Sequence, residues 1–325
     1  MWRTRPGDRS GIRWRMLRRR LLSAVPVLLG VVTVAFGIVH MIPGDPVQIM
    51  LGTGGAFVDP EREAVLRHEL RLDRPLPDQY LAFLAALLRG DLGKSLQTGE
   101  PVTALVAEAA GPSLALAGTA LVLGLLLGAG GAVLGELTRS RLLRAMLSRL
   151  PVLAMALPAY WVATLLLQVF SFRLGLVPAL GSTGPGATVL PAVTLALPLA
   201  GVVAHVLGSG LRTADRESYV LMARAKGATR ARVVLRHMLR NTAVPVVTLS
   251  GTTVGSLLGG GVVAETIFGR PGLGRLIVNA LQNHDYPVLQ GVAAFLGITM
   301  VVISLIVDVA YTYLDPRVVS AAVWK

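Results

Sequence analysis

The sequence predicts an all-α integral membrane protein with six transmembrane helices. Hydrophobic residues make up 53% of the 325 positions and charged residues only 15%, whereas a soluble domain carries roughly 25% charge on average. Mean hydropathy is +0.64. The apolar residues are gathered into six long segments almost free of charge: 21–42, 113–134, 151–172, 189–211, 243–264 and 288–310. A bilayer core about 30 Å thick needs roughly 20 helical residues to cross it. These runs are continuous rather than alternating, so helices are predicted and not a barrel.

The net charge of +13 would suggest nucleic acid in a soluble chain. Here it is explained by basic loops retained on the cytoplasmic side of a membrane, and no nucleic-acid partner is expected. There is no cysteine, which excludes disulfides, thiolate metal sites and cysteine nucleophiles.

Residues 1–20 hold eight arginines and one aspartate and form a basic cytoplasmic N-terminus. The first apolar run, 21–42, exceeds the ~7–15 residues of a signal-peptide core and lacks a small-x-small cleavage site, so it is read as a retained anchor. Residues 43–112 are acidic on balance and form the one sizeable outer region. Within it, Asp59 and Pro60 open a short helix ending near Leu70. Asp78 opens a second that stops at Gly90, and a third starts at Pro101 and feeds into the second span. Together these make a small helical cap. Residues 113–311 form a five-helix core, in which 135–150 and 212–242 are basic while 173–188 and 265–287 are nearly neutral. With residues 312–325 as a cytoplasmic C-terminus, every loop obeys the same rule and both termini lie inside.

Several motifs fail on inspection. Gly93-Lys94-Ser95 resembles the end of a phosphate-binding loop, but position 88 is Leu and no buried strand precedes it. Gly52-Thr53-Gly54-Gly55 misses the dinucleotide pattern because position 57 is Phe. His205 and Asp308 are ionisable residues within the spans, and neither extends into the carboxylate chain that a proton-driven carrier needs. A histidine bonded to a neighbouring helix is the favoured reading of His205.

Two features point to function. Gly251, Gly255 and Gly259 repeat every four residues on one helical face, alongside Thr252 and Ser256. Such a face serves close helix packing in lipid, or alternatively lines a translocation path. The cytoplasmic stretch Tyr219-Val220-Leu221-Met222-Ala223-Arg224-Ala225-Lys226-Gly227 is helical in composition and broken by its glycine. Apolar Tyr219, Leu221 and Met222 on a short cytoplasmic helix suggest insertion into a groove on a partner.

The chain resembles the permease subunits of ATP-binding-cassette importers for dipeptides, oligopeptides and nickel, and specifically the first of the two paired permeases. The resemblance rests on ordered pieces: Ile42-Pro43-Gly44-Asp45-Pro46, Leu72-Asp73-Arg74-Pro75, Gly90-Asp91-Leu92-Gly93-Lys94-Ser95, Ala223-Arg224-Ala225-Lys226-Gly227, His237-x-Leu239-Arg240-Asn241, Glu265-x-Ile267-Phe268, Asp285-Tyr286-Pro287-Val288 and Leu314-Asp315-Pro316-Arg317. It implies a type I importer permease in a bacterial inner membrane, forming half of a path for short peptides by alternating access. Its implied partners are a second permease, two ATPase subunits or one fused ATPase, and an extracytoplasmic substrate-binding protein. ATP and magnesium would be bound by those ATPases, with no cofactor in this chain.

The resemblance also implies that Tyr219, Leu221, Met222, Ala223, Arg224, Ala225, Lys226 and Gly227 couple to the ATPase. The family's general Glu-Ala-Ala-x3-Gly pattern lacks its acidic residue here, where the chain reads Ala-Arg-Ala-Lys-Gly. Nickel, glutathione or another small solute is the alternative cargo. A self-sufficient carrier or channel is the rival class, and a membrane enzyme is disfavoured because no catalytic constellation is present.

Overall fold

A computed structural model gives the structure of the protein and describes residues 8–41, 73–177 and 185–314, with isolated Val47, Ala64 and Arg67. The expected helix from Asp59 to Leu70, the C-terminal segment and the Ile42–Pro46 motif lie outside the described residues. Ten helices are followed here: α1 (Asp8–Met41), α2 (Leu76–Leu88), α3 (Val102–Leu137), α4 (Arg141–Ala156), α5 (Ala159–Leu166), α6 (Pro185–Ala214), α7 (Ser218–Ala225), α8 (Leu239–Ile267), α9 (Leu273–Gln282) and α10 (Tyr286–Leu314). Two stretches with wider i→i+5 hydrogen bonding, Leu167–Arg173 and Val233–Met238, extend α5 and precede α8.

Among the described residues, three helices are long and apolar enough to cross a membrane: α3, most of α6, and α10. A fourth joins them if α4 and α5 are counted as one broken span. Shorter apolar helical stretches, Leu21–Gly37 and Thr253–Ile267, lie within α1 and α8.

The segment 151–172, expected to be one span, contains a sharp break. Its axis turns by 105° between α4 and the α5 segment. The break falls at Leu157 and Pro158, both extended with ψ near 130°. Proline has no N–H for the helical ladder and disfavours α geometry in the residue before it, so Leu157 leaves the helix.

The chain divides into two compact units. The larger contains residues 113–270. Its core is built from Leu116 and Ala120 of α3, Leu199, Val203 and Leu207 of α6, Val220 of α7, and Leu257 and Leu258 of α8. Apolar burial cannot hold helices together in lipid, where the surroundings are equally apolar, so close packing must. Within this unit the closest packing occurs at three glycines. A Cβ on Gly128 would sit 2.6 Å from the Ala200 carbonyl oxygen, and one on Gly124 would sit 2.6 Å from Leu199 Cδ2. One on Gly201 would meet the Pro151 carbonyl oxygen at 2.6 Å.

A polar tie accompanies this packing. Ser113 Oγ donates to Glu265 Oε1 at 2.5 Å, with both residues buried. Glu265 is only 2% exposed within the last turn of α8. The expected fifth span stopped one residue short of it, so the sequence reading missed a buried carboxylate.

The smaller unit contains residues 20–112 and 271–302. Helix α2 begins just after Pro75 and ends at Gly90, whose φ is +74°. Tyr80 stacks edge-on against Phe36 at 5.3 Å, and its hydroxyl lies 2.6 Å from Thr33 Oγ1. A small core gathers Val102, Val106, Leu273, Ala280, Val288 and Val292.

The Gly93-Lys94-Ser95 motif has its role here. Ser95 Oγ donates to Asp285 Oδ2 at 2.5 Å, the Leu96 amide donates to Asp285 Oδ1 at 3.2 Å, and Gln97 Nε2 donates to the Asn283 carbonyl at 2.9 Å. Asp285 is 4% exposed, so these bonds satisfy a buried carboxyl group and tie two loops together. Asp285→Ala would leave the Ser95 hydroxyl and Leu96 amide without that acceptor, a loss of about 1–3 kcal/mol. A lowered unfolding midpoint of the solubilised protein is expected, and an unchanged midpoint would remove the tie.

Candidate coupling site

Helix α6 ends at Ala214, and the chain turns through Asp215, Arg216 and Glu217 before α7 begins at Ser218. The turn is fixed by backbone bonds from Arg216 to the Thr213 carbonyl (3.2 Å) and from Glu217 to the Ala214 carbonyl (3.1 Å). Two turns later α7 is stopped by a Schellman cap. Ala228 N–H donates to the Ala223 carbonyl at 3.1 Å, and Gly227 N–H donates to the Arg224 carbonyl at 2.9 Å. This pattern requires a left-handed residue between the two donors' acceptors and the exit strand, and Gly227 has φ +79°. Left-handed backbone rather than close packing is what calls for glycine here, because an added Cβ would meet nothing within 4 Å.

Thr229 then caps a single turn, Arg230–Arg232, its Oγ1 accepting from Arg232 N at 3.4 Å. That turn runs through Val233–Met238 into α8. Val233, Val234 and Met238 are fully buried, so the segment leaving the site is firmly held.

Burial divides the expected residues into two faces. Val220 is completely buried, and Tyr219 and Ala223 pack partly against the same core. Leu221 and Met222 stand out at 57% and 61% exposure, with Ala225, Lys226 and Gly227 exposed beside them. Tyr219 is half-buried and also helps seat the helix on its own chain. Val220, the anchor, was overlooked because a lone valine in a basic loop carries no periodic signal.

Arg224 makes a contact within its own chain. Its Nη2 lies 2.5 Å from Asp215 Oδ1, so the guanidinium braces α7 against the end of α6. Both side chains are about 40% exposed, and a solvated pair of this kind contributes at most about 1 kcal/mol. Arg230 Nη2 lies 3.8 Å from Glu136 Oε2 at the end of α3. The arrangement presents an exposed apolar edge, Leu221 and Met222, on a short helix fixed from behind. It is suited to docking and has no catalytic geometry.

On the glycine face of α8, Gly259 shows no such tightness. A Cβ on Gly259 would meet nothing within 4 Å, whereas one on its neighbour Gly260 would lie 3.1 Å from Leu195 Cδ2. Gly255 is half-buried and Ser256 exposed, with Ser256 Oγ bonded to the Thr253 carbonyl at 2.8 Å. The surroundings of Gly251 and Thr252 lie outside the described residues. His205 is exposed and lines a cavity, with no hydrogen-bond partner among the described residues, contrary to the expected interhelical bond. The Asp308 side chain is outside those residues.

Residues 106–320 match the model of the family described as "Binding-protein-dependent transport system inner membrane component". Residues 13–109 match the N-terminal model of such membrane components. A putative peptide permease protein of Brucella suis biovar 1 is 36% identical over 310 residues, covering 92% of this chain and 97% of that one. The glutathione transport system permease protein GsiC of Salmonella typhimurium is 36% identical over 300 residues, with the same coverage. Among solved structures, inward-facing MetNI methionine ABC transporter matches 65% of this chain and 96% of its own, with TM-score 0.56 at 18% identity. A bacterial ABC transporter involved in import of the acidic polysaccharide alginate matches 92% and 98%, with TM-score 0.53 at 14% identity.

Proposed function

Because the chain belongs to the family of binding-protein-dependent transport system inner membrane components, we propose that it forms half of an inner-membrane path for short peptides, driven through α7. The chain is a permease subunit of an ABC importer and not an enzyme; ATP hydrolysis belongs to a separate subunit. It sits in the inner membrane as a multi-pass protein. Its partners include an ATPase and a substrate-binding protein.

The observation that carries the coupling role is the outward edge of α7. Leu221 and Met222 are exposed while Val220 locks the same helix to the core. A chain that hydrolyses no nucleotide receives conformational work only through contact with a partner that discriminates between its states. Seating Leu221 and Met222 in a groove of the ATPase supplies that contact. A second, homologous permease completes the path, with two ATPase subunits or one fused pair beneath.

Short peptides are the proposed cargo. Relatives bear the names peptide permease and glutathione permease, and glutathione is itself a tripeptide. The test is substrate-stimulated ATPase activity of the reconstituted complex with its binding protein, across dipeptides, tripeptides, glutathione and nickel chelates. Stimulation by nickel chelates alone would reject the peptide reading.

The loop charges support cytoplasmic termini and a cytoplasmic 212–242. With no native cysteine, a cysteine placed at Asp73 should react with an impermeant maleimide in intact spheroplasts. Reaction only after permeabilisation would reverse the topology.

A further inference from the structure

A cavity of about 340 Å³ opens between α3, α4 and α6, and the coupling role does not account for it. Its polar lining is Glu136, Arg144, Ser148, His205 and Arg212, with Gly208 in the wall. Arg212 lines it and passes close over Gly208, where a Cβ would lie 3.3 Å from Arg212 Nη1. Neither Arg212 nor His205 has a hydrogen-bond or ion-pair partner among the described residues. Arg144 Nη2 donates to the Thr138 carbonyl at 2.7 Å, which fixes its guanidinium and leaves other N–H groups available. Ser148 Oγ donates to the Ala145 carbonyl at 2.9 Å and retains its capacity to accept. Glu136 is the one carboxylate in the lining, and its Arg230 partner is at 3.8 Å, the long end of ion pairing.

We propose that this cavity binds a phospholipid headgroup, its phosphodiester held by Arg144 and Arg212 and its hydrogen-donating end group held by Glu136. Charge complementarity selects this occupant. Two guanidiniums match a phosphodiester oxygen pair, since planar N–H donors suit phosphate geometry. A phosphodiester carries one negative charge and tolerates the nearby Glu136 carboxylate better than a free phosphate dianion does. The hydroxyls of phosphatidylglycerol or the ammonium of phosphatidylethanolamine can donate to Glu136, whereas choline has no N–H or O–H to offer. Leu134, Met146 and Leu150 are exposed apolar residues on the same helices, α3 and α4.

The test is native mass spectrometry of the assembled importer, titrated with phosphatidylglycerol or phosphatidylcholine in mixed micelles. Arg144→Gln/Arg212→Gln should weaken phosphatidylglycerol binding by roughly tenfold or more, the scale set by losing hydrogen bonds to charged groups. Gly208→Leu fills the space with both arginines in place and should do the same. Arg141→Gln/Arg149→Gln removes two basic residues of α4 outside the lining and should change little. Wild-type complex should prefer phosphatidylglycerol to phosphatidylcholine. Undiminished phosphatidylglycerol binding in both lining variants would overturn the proposal. Displacement of the lipid by millimolar inorganic phosphate would overturn it in favour of a free-anion site. Binding by the isolated chain but not by the assembled complex would show that a protein neighbour fills the cavity instead.

Discussion

Gly227→Val is expected to leave membrane insertion intact while sharply lowering uptake and substrate-stimulated ATPase activity. At φ +79° an L-residue costs roughly 1–2 kcal/mol, and a β-branched one is a steric outlier there. The eight residues of α7 lack the length to stand alone as a helix, so loss of its cap redirects Leu221 and Met222. Gly227→Asn provides the graded control, because asparagine visits the left-handed region more readily; it should retain most coupling. Leu221→Asp tests the contact without strain, by placing a charge where an apolar groove is proposed. Reconstituted complexes should show both effects in uptake and ATPase assays. Full coupling in both Gly227→Val and Leu221→Asp would place the contact elsewhere.

Gly128→Leu is expected to abolish accumulation of folded protein. The new Cβ would lie 2.6 Å from the Ala200 carbonyl oxygen and 2.7 Å from Val203 Cβ. The first is backbone on a packed helix, so relief requires α3 and α6 to separate. Overpacking costs typically 1–3 kcal/mol even where side chains can adjust, and separation here would forfeit the contacts that hold helices together in lipid. Gly130 provides the control on the same helix, since a Cβ there meets nothing within 4 Å. Membrane fractions probed for full-length, protease-resistant protein should show Gly130→Leu present and Gly128→Leu depleted. Equal accumulation of the two would show that the helices give way without cost.

The same glycines show what the sequence could and could not reveal. Spacing every four residues exists both at Gly251, Gly255 and Gly259 and at Gly124 and Gly128. Periodicity shows that such a face is smooth, but not what lies opposite it. Only the packing of Leu199, Ala200 and Val203 against α3 makes the second pair indispensable, while Gly259 faces open space. Helix existence was legible because apolar runs are long and local. The 105° turn at Leu157–Pro158 was less so: the proline was visible, but prolines at 112, 191, 198 and 245 stay inside continuous helices. Neighbouring packing decides which proline breaks its helix.

The local form of the proposed coupling segment was legible, because its helix and its glycine stop depend on short-range chemistry. The contacts that Tyr219 and Arg224 make within the chain were not legible, for the opposite reason. Packing of the tyrosine on the core and pairing of the arginine with Asp215 depend on where α6 ends. The Ser113–Glu265 bond joins positions 152 residues apart, and no local pattern announces it.

The Schellman cap at Gly227 has a thermodynamic consequence for assembly. A disordered loop would lose about 1–2 kcal/mol of backbone entropy for each residue ordered on association. Here the cap, the buried Val220 and the Asp215 brace fix the helix beforehand, so that loss belongs to folding rather than to complex formation. Docking of a pre-organised element leaves more of the contact energy available as affinity. It also makes the element stiff, so that displacement of one end by a partner is delivered to α6 and α8 instead of being absorbed by local unwinding.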